Sequence, residues 1–209
     1  KLLEIDRDLA SQLTAQFAHD ERVSIHIGDA LDFDFTTLRE STDKPLRVFG
    51  NLPYNISTPL IFHLLEQATV SPAANVISDM HFMLQREVVD RMAAPPGSKT
   101  YGRLSIMTQY YCQVEPLFDV PPEAFTPQPK VMSAIVRLLP YKDLPLKADQ
   151  PKVLDKVVRA AFSQRRKTIR NGLRDLISAE QLEAINVDPG VRAETLDIAT
   201  FVNIANSLK

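Results

Sequence analysis

The sequence contains a single cysteine, Cys112, and no apolar run that approaches the roughly 18 residues needed to span a bilayer. One cysteine cannot form an internal disulfide, which excludes a disulfide framework and fits a reducing compartment. No stretch has the charged start and apolar middle of a secretory signal. We therefore expect a soluble, cytoplasmic protein in which Cys112 is an inert core thiol. The four histidines show no ligand-like spacing, so we expect no metal site: His19, His26, His63 and His81.

The net charge is also small, −2 at pH 7, but it is unevenly divided. Residues 1–141 carry 12 basic and 17 acidic side chains, whereas residues 142–209 carry 12 basic and 9 acidic ones. Five cations lie within ten residues without an intervening acid: Arg165, Arg166, Lys167, Arg170 and Arg174. This asymmetry hints at a nucleic-acid contact, although a solvated charged face is the commoner meaning of such a run.

Strand-like apolar runs alternate with helical patterns up to about residue 141, which predicts an α/β fold with a sheet flanked by helices. Six strands are expected, near residues 2–6, 23–27, 46–49, 80–84, 113–120 and 132–139. Prolines between the last two strands predict a stiff connecting loop. Thr58 followed by Pro59 predicts a helix start. We place a boundary near Pro140 to Pro151, which separates a domain of residues 1–141 from a helical domain of residues 146–209.

In the second domain we expect only helices. One helix is predicted from Lys152 to about Leu176, a second begins at Ser178 with Gln181 in capping-box register, and a third covers 198–208. On the first helix Arg166, Arg170 and Arg174 would follow i, i+4, i+8 spacing and form one cationic stripe. Like charges at that spacing repel each other, and RNA phosphates would relieve the repulsion.

Glu4, Asp29 and Asn51 each end a predicted strand. In an open parallel sheet, side chains at the carboxyl ends of the strands gather at one crevice, where such folds bind ligands. A carboxylate such as Glu4 suits the two hydroxyls of a ribose, and Asp29 could accept from an adenine amine. Acidic and amide residues also follow strands simply because they favour turns.

Residues 51–54, Asn-Leu-Pro-Tyr, suggest a particular chemistry. Pro53 favours an extended backbone at Leu52 and so fixes the direction of the Leu52 carbonyl. The Asn51 amide adds a second acceptor, and Tyr54 adds an aromatic face. Two acceptors beside a stacking surface fit an exocyclic aromatic amine and can orient its lone pair toward an electrophile without a strong base. A turn begun by Asn51 with a core tyrosine is the simpler alternative.

Several segments resemble the ribosomal RNA adenine dimethyltransferases, a family that uses S-adenosylmethionine. NLPYNIS looks like their fourth motif, LLEIDRDL their cofactor-ribose motif, GDAL their adenine motif, FTPQPKV their eighth motif and SQRRKTIRN their tail signature. The resemblance covers nearly the whole chain and implies a Rossmann-like methyltransferase sheet followed by a small all-α domain. It also implies methylation of two adjacent adenosines near the 3′ end of 16S rRNA, by a monomer that binds the small ribosomal subunit.

By this resemblance Glu4 binds the cofactor ribose, Asp29 the cofactor adenine, and Asn51 both cofactor and target amine. Tyr54 stacks on the flipped adenine, and Phe125 closes its other face from a loop stiffened by prolines. Phe125 could equally plug its loop onto the core. Arg165, Arg166, Lys167, Arg170 and Arg174 contact RNA.

One feature expected from this resemblance, a glycine-rich turn, is not found in the sequence. This fold places a glycine-rich turn after its first strand, and no two of the six glycines are close enough to form it. We therefore expect the first strand and its glycine loop to precede Lys1, and we expect these 209 residues alone to bind the cofactor poorly. Two alternatives stay open: an assembly factor of the small subunit in which catalysis is secondary, and a methyltransferase acting on one adenine of the large subunit. A DNA or protein-glutamine methyltransferase usually has a different motif around the proline.

Overall fold

The computed structural model describes residues 1–39, 44–53, 55–69, 76–164 and 166–208. Two residues predicted to be functional, Tyr54 and Arg165, lie outside the described residues. None of the described helices combines the length and the apolar character of a membrane span.

The strands form two sheets within the described chain. In the smaller sheet β1 (Leu2–Glu4) and β2 (Ile25–Ile27) are parallel. The larger sheet has the order β3-β4-β6-β5 and consists of β3 (Leu46–Asn51), β4 (Ile77–Gln85), β5 (Cys112–Val120) and β6 (Ser133–Pro140). β3 and β4 are parallel, whereas β6 is antiparallel to both of its neighbours. The predicted α/β class and all six predicted strands are confirmed.

Eight α-helices are described. They are α1 (Arg7–Gln16), α2 (Ser57–Thr69), α3 (Arg86–Met92), α4 (Arg103–Tyr111), α5 (Pro151–Ser163), α6 (Ile169–Leu173), α7 (Ala179–Ala184) and α8 (Ile198–Ser207). Local signals define several starts: the Asp6 carboxylate accepts from two backbone N–H groups of the first turn of α1. The predicted capping box is confirmed, because Ser178 and Gln181 exchange hydrogen bonds at the start of α7.

The core lies between the larger sheet and the helices that follow its strands. Met80, Phe82 and Leu84 of β4 alternate toward it and are buried. The helical segment after β6 packs onto this layer: Tyr101 Oη donates to the Leu196 carbonyl at 3.0 Å, and Arg103 Nε donates to Asp155 Oδ1 at 2.8 Å. The division at residues 1–141 and 146–209 stays a prediction.

The predicted single helix from Lys152 to about Leu176 is wrong. α5 ends at Ser163, and the chain turns before α6 begins at Ile169. Thr168 pairs with Arg192 in an isolated antiparallel bridge, and the Ile169 N–H donates to the Val191 carbonyl at 2.7 Å. These long-range bonds compete with continuation of the helix. They also allow Ile169, which is only 1% exposed, to reach the core.

Candidate active site

Glu4 and Asp29 lie together at the carboxyl edge of the smaller sheet. Glu4 is opposite Ile27 in the register, and the Gly28 N–H donates to the Glu4 carbonyl at 3.0 Å. Each side chain also shapes the turn that follows it: Glu4 Oε1 accepts from the Asp6 N–H at 3.0 Å, and Asp29 Oδ1 from the Leu31 N–H at 2.9 Å. Within the described residues, the second oxygen of each carboxylate has no hydrogen-bond donor, so each can serve the turn and a ligand at once.

Asn51 is the last residue of β3 and its side chain is exposed. Leu52 is buried and anchors the segment, and the Pro53 carbonyl accepts from the N–H groups of Ile56 and Ser57, each at 3.1 Å. The chain therefore passes from β3 into α2 through one tight turn. Among the described residues, neither the Asn51 amide nor the Leu52 carbonyl receives a hydrogen bond, so both acceptors are available to a ligand at the strand end.

Phe125 lies in the connection between β5 and β6, at the same edge of the larger sheet as Asn51. The register gives this relationship directly: Asn51 is opposite Met83, Met83 is opposite Ile135, and Ile135 is opposite Phe118. β5 runs parallel to β3, so its carboxyl end and the start of β6 meet the carboxyl end of β3 at one edge. The structure thus brings the 51–53 turn and the 121–132 connection to the same side of the sheet.

The Phe125 side chain is half-buried. It is not among the partly buried apolar side chains that pack against the core. A short 3-10 turn, Pro122–Ala124, precedes it, and the Phe125 N–H donates to the Pro122 carbonyl at 3.2 Å. An aromatic ring that is held on such a turn and does not pack against the core is better suited to stack on a ligand than to anchor its loop to the core. The opposite face of the predicted sandwich, Tyr54, lies outside the described residues.

The two sheets are joined through the segment that follows β2. Gln67 of α2 accepts from the Phe35 N–H at 2.8 Å and donates to the Phe33 carbonyl at 2.9 Å. The Phe33 and Phe35 rings pack edge to face, and Phe35 packs in the same way on His63. These contacts connect the Asp29 turn to α2, the helix that begins after Asn51.

The predicted cationic stripe does not lie on one helix. Arg166 is in the turn after α5, Arg170 is inside α6, and Arg174 follows the last residue of α6. These three side chains and Lys167 are exposed, and Arg165 lies outside the described residues. Within the described residues, Arg166, Lys167 and Arg170 form no ion pair. Arg174 Nε lies 3.6 Å from Asp175 Oδ1, and both side chains are largely exposed, so this contact is weak.

Two further predicted features concern reactivity. Cys112 is fully buried, its Sγ lies 3.2 Å from the Thr108 carbonyl, and burial raises the pKa of the thiol far above its ordinary value. The interpretation of Cys112 as an inert core thiol is therefore confirmed. Within the described parts of the chain, no cluster of three or more His, Cys, Asp and Glu side chains could hold a metal ion.

The sequence analysis did not single out Arg86, which directly follows β4 at the edge of the larger sheet that carries Asn51. Its Nη1 hydrogen-bonds to Asp119 Oδ2, and its backbone N–H donates to the Met132 carbonyl at 2.9 Å. The only sign of a role for Arg86 in the sequence was that a cation directly follows a buried strand. The i, i+4 spacing from Arg86 to Asp90 indicated an ion pair within a helix, but it did not indicate the contact between Arg86 and Asp119.

Both the sequence and the fold resemble those of known proteins. The sequence profile of the family described as "Ribosomal RNA adenine dimethylase" matches residues 1–209. The protein called "Ribosomal RNA small subunit methyltransferase A" from Pseudomonas aeruginosa is 59% identical over 207 residues, which are 99% of this chain and 75% of that protein. The protein of the same name from Vibrio parahaemolyticus is 54% identical over 207 residues, 99% of this chain and 74% of that protein.

Solved structures give the same fold at lower identity. A dimethyladenosine transferase from Plasmodium falciparum superposes with a TM-score of 0.77 at 24% identity, covering 97% of this chain and 79% of that one. The 23S rRNA methyltransferase ErmE superposes with a TM-score of 0.66 at 22% identity, covering 99% of this chain and 80% of that one. At these identities the likeness concerns the fold alone.

Proposed function

The chain belongs to the ribosomal RNA adenine dimethylase family, and from this membership we propose that it methylates the exocyclic amines of two adjacent adenosines near the 3′ end of 16S rRNA. The methyl donor is S-adenosylmethionine and the compartment is the cytoplasm. The observation that supports the chemistry most directly is the shared edge of the larger sheet, which carries both the acceptors of 51–52 and the connection that contains Phe125.

Asn51 and Leu52 orient the target amine. The Asn51 side-chain oxygen and the Leu52 carbonyl each accept one of the two amine hydrogens, which favours a pyramidal nitrogen with its lone pair directed outward. Burial of Leu52 and the turn closed on the Pro53 carbonyl fix the direction of both acceptors. No side-chain base is needed, because the nitrogen becomes acidic only after it has been alkylated.

Phe125 holds the adenine on one face, and Tyr54 holds it on the other. An adenine removed from its stack loses contacts with its neighbours, and aromatic side chains restore part of that interaction. The half-buried position of Phe125, outside the packed core, is compatible with this role. The second ring is proposed from the motif at 51–57.

Glu4 and Asp29 hold the methyl donor. Their second carboxylate oxygens suit the donors that this cofactor offers, ribose hydroxyls for Glu4 and an adenine amine for Asp29. When bound, S-adenosylmethionine supplies an electrophilic methyl group on a positively charged sulfur. The residues of this chain contribute the orientation of the nucleophile and the exclusion of water from the adenine.

Arg165, Arg166, Lys167, Arg170 and Arg174 contact the RNA backbone. Arg166, Lys167 and Arg170 are exposed and form no ion pair among the described residues, and exposed cations of this kind attract phosphates and give affinity without sequence reading. The choice of the small subunit over the large one rests on the relatives at 54% and 59% identity, both of which carry the small subunit in their names.

The decisive experiment supplies small ribosomal subunits that lack these methyl groups to the full-length protein together with labelled S-adenosylmethionine. Nuclease fragments analysed by mass spectrometry should contain two adjacent dimethyladenosines near the 3′ end of 16S rRNA. Large subunits, treated in parallel, should remain unlabelled. Label in 23S rRNA, or in neither subunit, would contradict the proposal.

A further inference from the structure

Arg86 contacts both ends of the connection that carries Phe125. This connection covers residues 121–132, between the end of β5 and the start of β6. On one side the Arg86 guanidinium hydrogen-bonds to Asp119, near the end of β5. On the other side the Arg86 backbone N–H donates to the Met132 carbonyl at 2.9 Å, directly before β6.

A β-bulge directs Asp119 toward Arg86. Pro116 is opposite Val136 and Phe118 is opposite Ile135, so Leu117 is an extra residue in β5. Side chains alternate between the faces of a strand, and one extra residue therefore exchanges the faces of everything that follows it. The bulge places Asp119 opposite Ala134, on the buried face against which α3 packs. Without the bulge, Asp119 would point to the opposite face, away from Arg86.

Between its two ends, the connection makes few backbone hydrogen bonds among the described residues. Its own bonds are those of the 3-10 turn, where the Ala124 N–H donates to the Pro121 carbonyl at 3.1 Å and the Phe125 N–H to the Pro122 carbonyl at 3.2 Å. From Thr126 to Val131, no backbone hydrogen bond joins the segment to the described part of the chain. The direction of Phe125 therefore depends on the two ends, which pair with each other at Val120 and Ser133 and which Arg86 also bonds.

We propose that Arg86 is a positioning residue, which orients the 121–132 connection so that Phe125 meets the target adenine. This inference rests on the role of Phe125 given under the proposed function. The guanidinium is planar and carries several donors, so it can bond Asp119 while Nε donates to Asp90 Oδ1 at 3.0 Å. An exposed ion pair adds little to global stability, so the effect should appear in turnover rather than in folding.

The test compares Arg86→Ala, Arg86→Lys and Asp119→Asn with the wild type in the full-length protein. Arg86→Ala should lower kcat about tenfold or more, because a small misplacement of a substrate-holding group is costly. Asp119→Asn should also lower kcat. Arg86→Lys should retain part of the kcat that Arg86→Ala loses. Trypsin cleavage of the native protein at Lys130, inside the connection, should become faster in Arg86→Ala. Arg91→Ala removes another exposed cation of α3 and should leave kcat and cleavage unchanged.

The Phe125→Ala variant separates this inference from the proposed function. In the Phe125→Ala background, Arg86→Ala should cause little further loss of kcat, because both changes act through one ring. If Phe125→Ala is slow while Arg86→Ala turns over at the wild-type rate, the positioning role is wrong and the proposed function stands. If Phe125→Ala itself turns over normally, the role assigned to Phe125 is wrong. A rise in KM with unchanged kcat in Arg86→Ala would assign Arg86 to RNA binding and overturn the inference.

Discussion

Arg47 donates two hydrogen bonds to Asp79 across adjacent parallel strands, from Nε to Oδ1 at 2.8 Å and from Nη2 to Oδ2 at 3.0 Å. Asp79 is only 3% exposed. Arg137 of β6 approaches the same carboxylate from the other side, with Nη2 at 3.5 Å from Oδ2. A buried carboxylate is thus shared by cations on both neighbouring strands, and it links three strands of the larger sheet.

This arrangement predicts a pH-dependent contribution to stability. Burial alone would raise the pKa of Asp79, but hydrogen bonds from Arg47 and the charges of Arg47, His81 and Arg137 hold the pKa below its ordinary value of 3.8. A carboxyl whose pKa is lowered by folding stabilises the protein above its ordinary pKa, and this contribution is lost as the pH falls through the folded value. Near neutral pH, Asp79→Asn should lower the free energy of unfolding by about 1–2 kcal/mol.

Urea unfolding of wild type and Asp79→Asn between pH 3 and 8 checks this prediction. The difference in stability should be constant near neutral pH and should shrink below about pH 4. Asp143→Asn, which changes an exposed carboxylate, is the matched control and should show no such difference. A stability difference that is independent of pH would show that the charge of Asp79 is not what matters.

A second prediction concerns Gly172, where α6 folds back against α5. A Cβ added at Gly172 would lie 3.2 Å from the Ala161 carbonyl oxygen and 3.3 Å from the Ala161 Cα. Both atoms belong to the backbone and cannot yield without moving a helix. We expect Gly172→Ala to lower the free energy of unfolding by about 1–3 kcal/mol despite the better helix propensity of alanine.

The control for Gly172 is Gly190→Ala in the turn before Val191. There the added Cβ would lie 3.1 Å from Asp188 Oδ1, the end of an exposed side chain that can shift at the cost of its one hydrogen bond from the Gly190 N–H. In chemical unfolding, the free energy of unfolding of Gly190→Ala should therefore be near that of the wild type, and that of Gly172→Ala should be well below it. Equal stabilities would mean that the two helices separate at little cost.

Local signals account for most of the elements that the sequence predicted correctly. The run from Ile77 to Gln85 alternates between the core and the opposite face, Pro59 marks the first turn of α2, and Ser178 with Gln181 caps α7. Each of these patterns is complete within a few residues, so the sequence alone carries it.

The break between α5 and α6 was not predictable in this way. Residues 152–176 have good helical periodicity, and the competing bonds come from Pro189 to Arg192, about one helix–turn unit later in the chain. The bulge at Leu117 is similar, because its effect depends on the register with β6. Pairings across long sequence separations override local preference, and a single sequence does not display them.

In the candidate site, too, the features set by local sequence were predictable and those set by long-range pairing were not. The strand ends at Glu4, Asp29 and Asn51 were predictable, but Glu4 and Asp29 lie at the edge of the smaller sheet and Asn51 at the edge of the larger one, and their assignment to ligands stays a prediction. The position of the 121–132 connection, which contains Phe125, at the same edge as Asn51 follows from the antiparallel order of β6 and β5, which only the structure displays. The contact between Arg86 and Asp119 required both that order and the bulge.

The exposed cations after α5 give a third prediction. Replacing Arg166, Arg170 and Arg174 together by alanine should weaken binding of 16S rRNA or of the small subunit, and should reduce the slope of log affinity against log salt by about two to three. Filter binding at several salt concentrations measures both quantities. Replacing Lys44, Lys142 and Lys147, three exposed lysines elsewhere, should leave the slope near that of the wild type. An unchanged slope in the arginine variant would assign these side chains to solvent.

The fourth prediction tests the centre of the proposed chemistry. Asn51→Ala removes an exposed side chain at a strand end and should leave the unfolding transition within about 0.5 kcal/mol of the wild type. Because the target amine loses one of its two acceptors, kcat should fall about 100-fold. Asn203→Ala, which removes an exposed amide from α8, should leave kcat unchanged.

The Asn51→Ala variant also distinguishes an enzyme from an assembly factor. In the proposed function, Asn51 acts on the amine nitrogen and the cations after α5 bind the subunit, so the variant should bind small subunits with wild-type affinity while failing to methylate them. If cells carrying Asn51→Ala then assemble small subunits as poorly as cells without the protein, methylation itself is the function that matters. If assembly is normal without methylation, binding has a role of its own. A folded Asn51→Ala variant with the wild-type kcat would remove Asn51 from the chemistry and leave the amine without its proposed side-chain acceptor.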